Sequence, residues 1–241
     1  MEQPIYAVMV AGGCGSRMQA DLPKQFLQMG DKPVIIHTAK PFLQMKQIAM
    51  LLIAVPEEWV AYTEELFERY YQEYRAKYEI ICGGQTRQET LMRSIDWIDK
   101  KGLLNEDTIV ISHDAVRPFV TEQIIQDNIE ATMKFGSANA VIPAVDTMME
   151  SKEGIIATKI PNRSTLYQVQ TPQGFHALEL REIYYALSAI EKENLTDASG
   201  ILLSQKKQIG LTKGSVSNIK ITHPIDLRLG ELLLEQTAYI D

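Results

Sequence analysis

The chain has 241 residues, a size common for an α/β domain; 45% of them are hydrophobic, enough for a full core, and 23% are charged, so disorder is not expected. A formal net charge of -7 argues against a nucleic-acid binder, which usually carries a basic field. It permits an anionic small substrate wherever a few cations converge in one cleft.

Apolar runs predict strands over residues 5–10, 48–55, 78–81, 108–112 and 138–143. Segments of helical period lie between and after them, over 34–43, 57–74, 86–98 and 121–135. Strands that are continuously apolar rather than alternating suggest a parallel sheet covered on both faces, a doubly wound, mostly parallel α/β sheet. The rhythm changes near Val145. Residues 145–173 hold no long helical pattern and are expected to protrude from a single domain as a β-arm, with a turn at Lys152-Glu153-Gly154. Helical period resumes over 177–191 and 198–206. A short strand over 218–222 then precedes a last helix near 224–235, whose Pro224 suits a first turn. Met1-Glu2-Gln3-Pro4 lacks the basic start of a secretory leader, and no stretch approaches the ~18 apolar residues of a membrane span. A cytoplasmic location is therefore expected. Cys14 and Cys82 each sit beside glycines and are read as small residues at strand exits rather than as a disulfide or a catalytic thiol.

In doubly wound sheets the ligand sits outside the carboxyl ends of the strands. Three polar motifs fall there. The first is Ala11-Gly12-Gly13-Cys14-Gly15-Ser16-Arg17-Met18, followed by Pro23-Lys24-Gln25. Its glycines let backbone N–H groups approach anionic oxygens, and Arg17 and Lys24 stand where charge would develop on a phosphoryl group. It is not a dinucleotide fingerprint, because Met18 replaces the third glycine, and it is not a Walker A loop, because Lys24 neither follows Gly nor precedes Ser or Thr. A Gly-rich turn with solvated cations is the plain alternative. The second motif, Gly83-Gly84-Gln85-Thr86-Arg87-Gln88, opens a helix with Thr86 as N-cap; Gln85 and Arg87 could read a base or touch a phosphate. The third is His113-Asp114-Ala115-Val116-Arg117-Pro118-Phe119. Asp114 could bind a divalent metal or a sugar hydroxyl, and Arg117 could hold a phosphate as a fork. The alternative is an Asp–Arg salt bridge shaping the loop, with His113 a packed histidine. Asp146-Thr147, Asn162-Arg163, Thr171-Pro172-Gln173 and Asn218-Ile219-Lys220 add polar groups later in the chain.

Taken in order, A-G-G-x-G-S-R-M…P-K-Q-F, G-G-x-x-R-x-E-T, H-D-A-V-R-P-F, Q-T-P-Q-x-F and N-I-K-I-T-x-P-x-D-L cover nearly the whole chain. The pattern resembles the cytidylyltransferases of sugar-alcohol phosphates. Two branches share it, acting on ribitol 5-phosphate and on 2-C-methyl-D-erythritol 4-phosphate. Val116, Phe119 and Tyr167 look more like the ribitol branch; the other usually has Ala at the position of Val116.

The resemblance implies that CTP and a sugar-alcohol phosphate give a CDP-alcohol and pyrophosphate. The CDP-ribitol branch would supply teichoic-acid or capsule polymers, and its sister isoprenoid synthesis. The acceptor phosphate, with a second pKa of about 6, is largely dianionic at neutral pH and needs no general base. This fits the lack of a Ser/His/Asp or Cys/His nucleophilic motif. By resemblance, Arg17 and Lys24 stabilise the transition state. Val10, Ala11, Gly12, Gly13 and Gly15 cradle the nucleotide, Gly83 to Gln88 select cytosine, and Ser112 completes the CTP set. Mg²⁺ bridges the phosphates with Asp114 as ligand or as acceptor from substrate hydroxyls. Arg163 and Lys220 orient the attacking phosphate, with Arg117, Thr147 and Thr171 nearby, and the arm crosses to a second subunit in a homodimer. A non-catalytic nucleotide-binding module, and less readily a nicotinamide-dependent dehydrogenase, are the rival readings.

Overall fold

The fold is described from a computed structural model, which covers residues 3–12, 22–195 and 197–237. Strand β1 (Ile5–Val10) leads to a two-residue hairpin, β2 (Gln28–Met29) and β3 (Lys32–Pro33), and to helix α1 (Val34–Gln44). Then come β4 (Ile48–Val55), α2 (Val60–Tyr71), β5 (Tyr78–Cys82), α3 (Arg87–Lys100), β6 (Ile109–Asp114), α4 (Glu122–Phe135) and β7 (Ser137–Pro143). The last part holds β8 (Tyr167–His176), α5 (Ala177–Ala186), α6 (Ala189–Glu193), α7 (Ser199–Ser204), β9 (Gly210–Lys213) and α8 (Pro224–Thr237).

Seven strands form one sheet in the order β5-β4-β1-β6-β8-β7-β9. The pairs β5–β4, β4–β1, β1–β6 and β7–β9 are parallel, and β8 runs antiparallel to both of its neighbours. Alternation along β1 splits the core. Ala7 and Met9 join Ile35, Phe42 and Phe67 on one face, and Tyr6 and Val8 join Leu91, Ile95 and Leu180 on the other. The expected doubly wound, mostly parallel sheet is therefore present.

Several details differ from the sequence reading. Residues 167–173, expected to belong to the arm, are the first part of β8, which lies inside the sheet. Its polar Gln168, Gln170 and Gln173 hide the strand from a hydropathy reading. What leaves the sheet is the stretch 144–166, joined to itself by a Glu150–Lys159 bridge and by the Ala144 N–H to the Leu166 carbonyl. The helix expected over 177–191 breaks at Leu187-Ser188, because Ser188 caps a new helix reciprocally with Glu191. Residues 218–222 form no strand. The Asn218 and Ile219 N–H groups turn back on the Ser215 and Ser217 carbonyls, and the Ile221 N–H reaches the Val116 carbonyl of the loop after β6. The polar edge strand β9 carries no strand-like apolar pattern and was not expected.

A third small core of Met29, Val34, Val116 and Ile221 ties α8 and the β2–β3 hairpin to the loop after β6. Phe26, packed between Trp59 and Tyr62 at 5.1 Å from each ring centroid, pins the 3-10 turn Lys24–Phe26.

Gly174 of β8 faces α4 without room for a side chain. A Cβ there would collide with Thr132 Oγ1 and come within 2.9 Å of Asn128 Oδ1. Gly174→Ala is expected to cost about 1–3 kcal/mol by overpacking, measured as a lower urea midpoint; an unchanged midpoint would show that α4 yields freely.

Candidate active site

Three backbone hydrogen bonds gather the strand ends. Ala11 N–H reaches the Ala54 carbonyl at 2.9 Å, Gly83 N–H the Val55 carbonyl at 2.7 Å, and Ala115 N–H the Val10 carbonyl at 3.1 Å. The loops leaving β1, β5 and β6 thus open on one cleft of about 370 Å³. Val10, Ala11, Gly12, Lys24, Gly84, Gln85, Thr86, Arg87, Asp114 and Lys220 line it, as their motifs suggested. Gly13, Gly15 and Arg17 lie outside the described residues.

The second loop is locked onto the start of α3. Thr86 accepts from the Glu89 N–H at 3.1 Å, Glu89 accepts from the Gln85 N–H at 3.0 Å, and Thr90 accepts from the Gly84 N–H at 3.0 Å. The Gln85 N–H, with the Arg93 guanidinium, holds the Glu89 carboxyl below its usual range. Gly84 has to be glycine, because a Cβ would strike Glu89 at 2.5–2.7 Å. Gln25, which shares a motif with Lys24, donates to the Ala11 carbonyl at 2.7 Å and so joins the first loop to the Lys24 turn.

At the end of β6 the Asp114 carboxylate collects three cations. Lys220 Nζ stands 3.0 Å away, Arg87 Nε 3.2 Å and Arg117 Nε 3.4 Å. Burial alone would push this carboxyl up, but Arg87, Lys220 and Arg117 outweigh it and hold it well below the usual carboxylate range. A second recess of about 150 Å³ opens across the cluster. It shares Arg87, Asp114 and Lys220 with the cleft and adds Arg117, Thr171, Gln173 and Asp197. Arg87 Nη2 donates to Gln173 Oε1 at 3.0 Å, and Gln173 Nε2 donates to Asp197 at 3.0 Å. Thr171 also meets His113 at 3.0 Å, a buried pairing no sequence motif announced.

Some expected residues stand elsewhere. Gln88 turns away and donates to the Leu195 carbonyl at 2.9 Å. Ser112 is fully buried mid-sheet between Val8 and Gln173; it shares the face of Asp114 but lies two residues deeper along β6, beneath the cleft rather than in it. Gly83 lines neither cavity; its carbonyl is taken by Arg93 at 2.8 Å. Thr147 and Arg163 are exposed on the arm and line neither cavity, and Arg163 donates to the Val145 carbonyl at 2.7 Å. Thr90 and Asp197 were not singled out as site residues, and Gln173 was named only within a polar run, without a role. Thr90 lies one turn beyond Arg87 on α3 and could have been found by helical spacing. Asp197 had no signal, since only the fold brings it to β8.

Asp114 does not fit the metal-ligand reading. With three cations already on its two oxygens, a divalent ion would have to displace one of them against their repulsion. Among the described residues no group of three or more Asp, Glu, His or Cys stands together to hold a metal. The salt-bridge reading of the Asp114 loop is the one the geometry supports.

The model of the family described as IspD, 2-C-methyl-D-erythritol 4-phosphate cytidylyltransferase, matches residues 5–236. The chain belongs to this family. Solved structures agree in fold. A 4-diphosphocytidyl-2C-methyl-D-erythritol synthase from Anaerococcus prevotii superposes with a TM-score of 0.80 at 23% identity, covering 97% of this chain and 96% of that one. A 2-C-methyl-D-erythritol 4-phosphate cytidylyltransferase from Thermus thermophilus gives 0.72 at 27% identity, over 96% and 99%. One from Francisella tularensis gives 0.79 at 24%, over 95% and 99%. A cytidylyltransferase takes CTP, and the cations around Asp114 suit an anionic phosphate; the dehydrogenase reading is set aside.

Because the folded carboxyl of Asp114 titrates low, its cluster contributes stability above the ordinary carboxylate range and loses it as pH falls toward the folded value. Asp114→Asn should lower stability at pH 7 by about 3 kcal/mol, the cost of breaking a buried pair. It should also flatten the wild-type loss below about pH 4. Urea unfolding at pH 7 and pH 3 checks both, and an equally steep acid loss in the variant would argue against the cluster.

Proposed function

We propose that this chain transfers a cytidylyl group from CTP to D-ribitol 5-phosphate, giving CDP-ribitol and pyrophosphate. The carrying observation is the cation cluster standing between a glycine-lined cleft and a polar recess. CTP occupies the cleft and the acceptor the recess, so the two phosphates meet at Lys220, Arg87 and Arg117. An oxygen of the acceptor phosphate attacks the α-phosphorus of CTP. One P–O bond forms as the bond to the α–β bridging oxygen breaks, and that oxygen leaves with pyrophosphate.

Such a transfer depends on positioning and charge neutralisation. Lys24, buried in the cleft, and Arg17 neutralise charge at the α-phosphate and on the leaving group. The loop Gly84-Gln85-Thr86 meets the base. Lys220 and Arg117 orient the acceptor phosphate, and Asp114 and Thr171 accept from its hydroxyls. Mg²⁺ is proposed as the cofactor; bound together with CTP it would add charge neutralisation on the phosphates. Thr147 and Arg163 act only if the arm reaches another subunit. A homodimer with crossed arms is therefore part of the reading, supported by exposed Val145, Met149, Ile155 and Ile156 on the arm. The cytoplasmic placement stands as proposed; among the described residues no helix is long and apolar enough to cross a membrane.

The second reading has 2-C-methyl-D-erythritol 4-phosphate as the acceptor, with the same roles. The comparisons speak for it more than for the first, since the family description and the solved structures carry that substrate's name. Val116, Phe119 and Tyr167 speak for ribitol phosphate. Val116 lines the cleft assigned to CTP and not the recess, so it speaks through the motif rather than through contact with the acceptor.

Pyrophosphate release with CTP, Mg²⁺ and each acceptor at equal concentration tests the proposal. Release with ribitol phosphate alone is expected; release with methylerythritol phosphate alone moves the enzyme to the second reading, and release with neither rejects both. Lys24→Ala should lower kcat by about 10² and change the KM for CTP less. Lys220→Ala should raise the KM for the acceptor more than that for CTP, and equal rises would refute the division of labour.

A further inference from the structure

His113, beside Asp114 at the end of β6, lines neither cavity and is 1% exposed. Its ring packs on Phe42 with centroids 5.0 Å apart. Both ring nitrogens nevertheless have partners. Nε2 lies 3.2 Å from the Arg117 carbonyl oxygen, and Nδ1 lies 3.0 Å from Thr171 Oγ1. A carbonyl oxygen has no proton to give, so Nε2 carries one. Burial, which disfavours the imidazolium, pulls the ring down to about 4, so at neutral pH there is a single proton and Nδ1 is bare. Thr171 must then donate its hydroxyl proton to Nδ1. The same oxygen accepts from the Asp114 backbone N–H at 3.1 Å, which uses one of its two lone pairs. Thr171 is left with one lone pair and no proton for anything in the recess it lines.

We propose that His113 is a positioning residue: its imidazole, protonated at Nε2, fixes the Thr171 hydroxyl as an acceptor-only group in the recess. Such a group welcomes a substrate hydroxyl, which can donate, and repels a phosphate oxygen, which cannot. It steers the acceptor's phosphate towards Lys220 and Arg117 and its polyol end towards Thr171. The same histidine spans β6, the Arg117 loop and β8, so one ring sets both the polarity and the spacing of this wall. The consequence for the substrate rests on the acceptor-site reading above; the ring's protonation state does not.

Long-range ¹⁵N–¹H correlation of the labelled imidazole is expected to show Nε2 protonated and Nδ1 bare, with the Nδ1 resonance displaced in Thr171→Val. A proton on Nδ1, or an Nδ1 resonance that ignores Thr171→Val, overturns the proposal without any substrate. Kinetics use whichever of D-ribitol 5-phosphate and 2-C-methyl-D-erythritol 4-phosphate releases pyrophosphate. His113→Gln keeps a donor for Arg117 but loses the acceptor for Thr171. It should raise the KM for the acceptor about 5-fold, the worth of one neutral hydrogen bond, and leave the KM for CTP within about 2-fold. His113→Asn, which keeps an acceptor near Thr171, should restore most of the loss. In a Thr171→Val background His113→Gln should add nothing further, because the two act through one bond. Additive effects, or equal rises for both substrates, overturn it. Should His113→Gln fail to fold, His113→Asn alone decides: an acceptor KM near wild type is expected, and a rise as large as that of Thr171→Val is not. If neither phosphate is turned over, the functional reading fails while the spectrum still decides the role of His113.

Discussion

The Asp114 carboxylate and its three cations are the constraint on which the rest of the site depends. Arg87 comes from the start of α3, Arg117 from the loop after β6, and Lys220 from the irregular segment before α8. One side chain at the end of a central strand therefore fixes three separate pieces of chain. The carboxylate has little solvent around it, so its attraction for each cation is screened less than on the surface. Three positive charges against Asp114, and against Asp197 farther along the recess, still leave the wall between cleft and recess electropositive. A chain of net charge -7 can in this way present a positive field where an anion must bind.

A second layer, built on the neutral side chains of Gln173, Thr171 and Asn218, holds this ionic layer in place. Gln173 joins Arg87 to Asp197, and Thr171 joins Asp114 to His113. Asn218 Nδ2 donates to the Thr171 carbonyl at 2.9 Å, while its own carbonyl accepts from Arg117 at 2.8 Å. Most of these groups sit on β8 or face it. β8, reversed against its neighbours, lies directly beside β6, so its polar side chains come level with Asp114. Its members satisfy one another only in part: among the described residues Arg87 Nη1 and Asn218 Oδ1 are buried without a hydrogen-bond partner.

The glycine-lined half of the site has a different logic. Its positions follow from backbone bonds between strand ends, from the tight fit of Gly84 on Glu89 and from the Thr86, Glu89 and Thr90 side chains that take the loop's own N–H groups. Lys24 is the exception. It is held by its neighbours, with Phe26 locked into an aromatic cluster and Gln25 bonded to the first loop. The small core around Val116 and Ile221 then couples this half to the segment that carries Lys220.

Local chemistry made the first half of the chain legible. Continuous apolar runs marked the parallel strands, Thr86 marked a helix start, and glycines after strands marked the cleft, because each signal acts over a few residues. The second half was less legible. β8 looked like part of an arm because its side chains serve the site rather than a core, and residues 218–222 looked like a strand because Ile219 and Ile221 pack on α8 and Val116 instead of on a sheet. The sequence by itself determined the fold class, the phosphate-handling character of the loops and nearly every charged residue of the cleft. Only the tertiary structure decided that Asp114 is bound by three cations rather than open to a metal, that Ser112 lies buried beneath Asp114 while Gln88 turns away, and that His113 governs Thr171. Those outcomes depend on groups up to about a hundred residues apart meeting at 3 Å, and no local pattern encodes which partner a buried charge or hydroxyl will find.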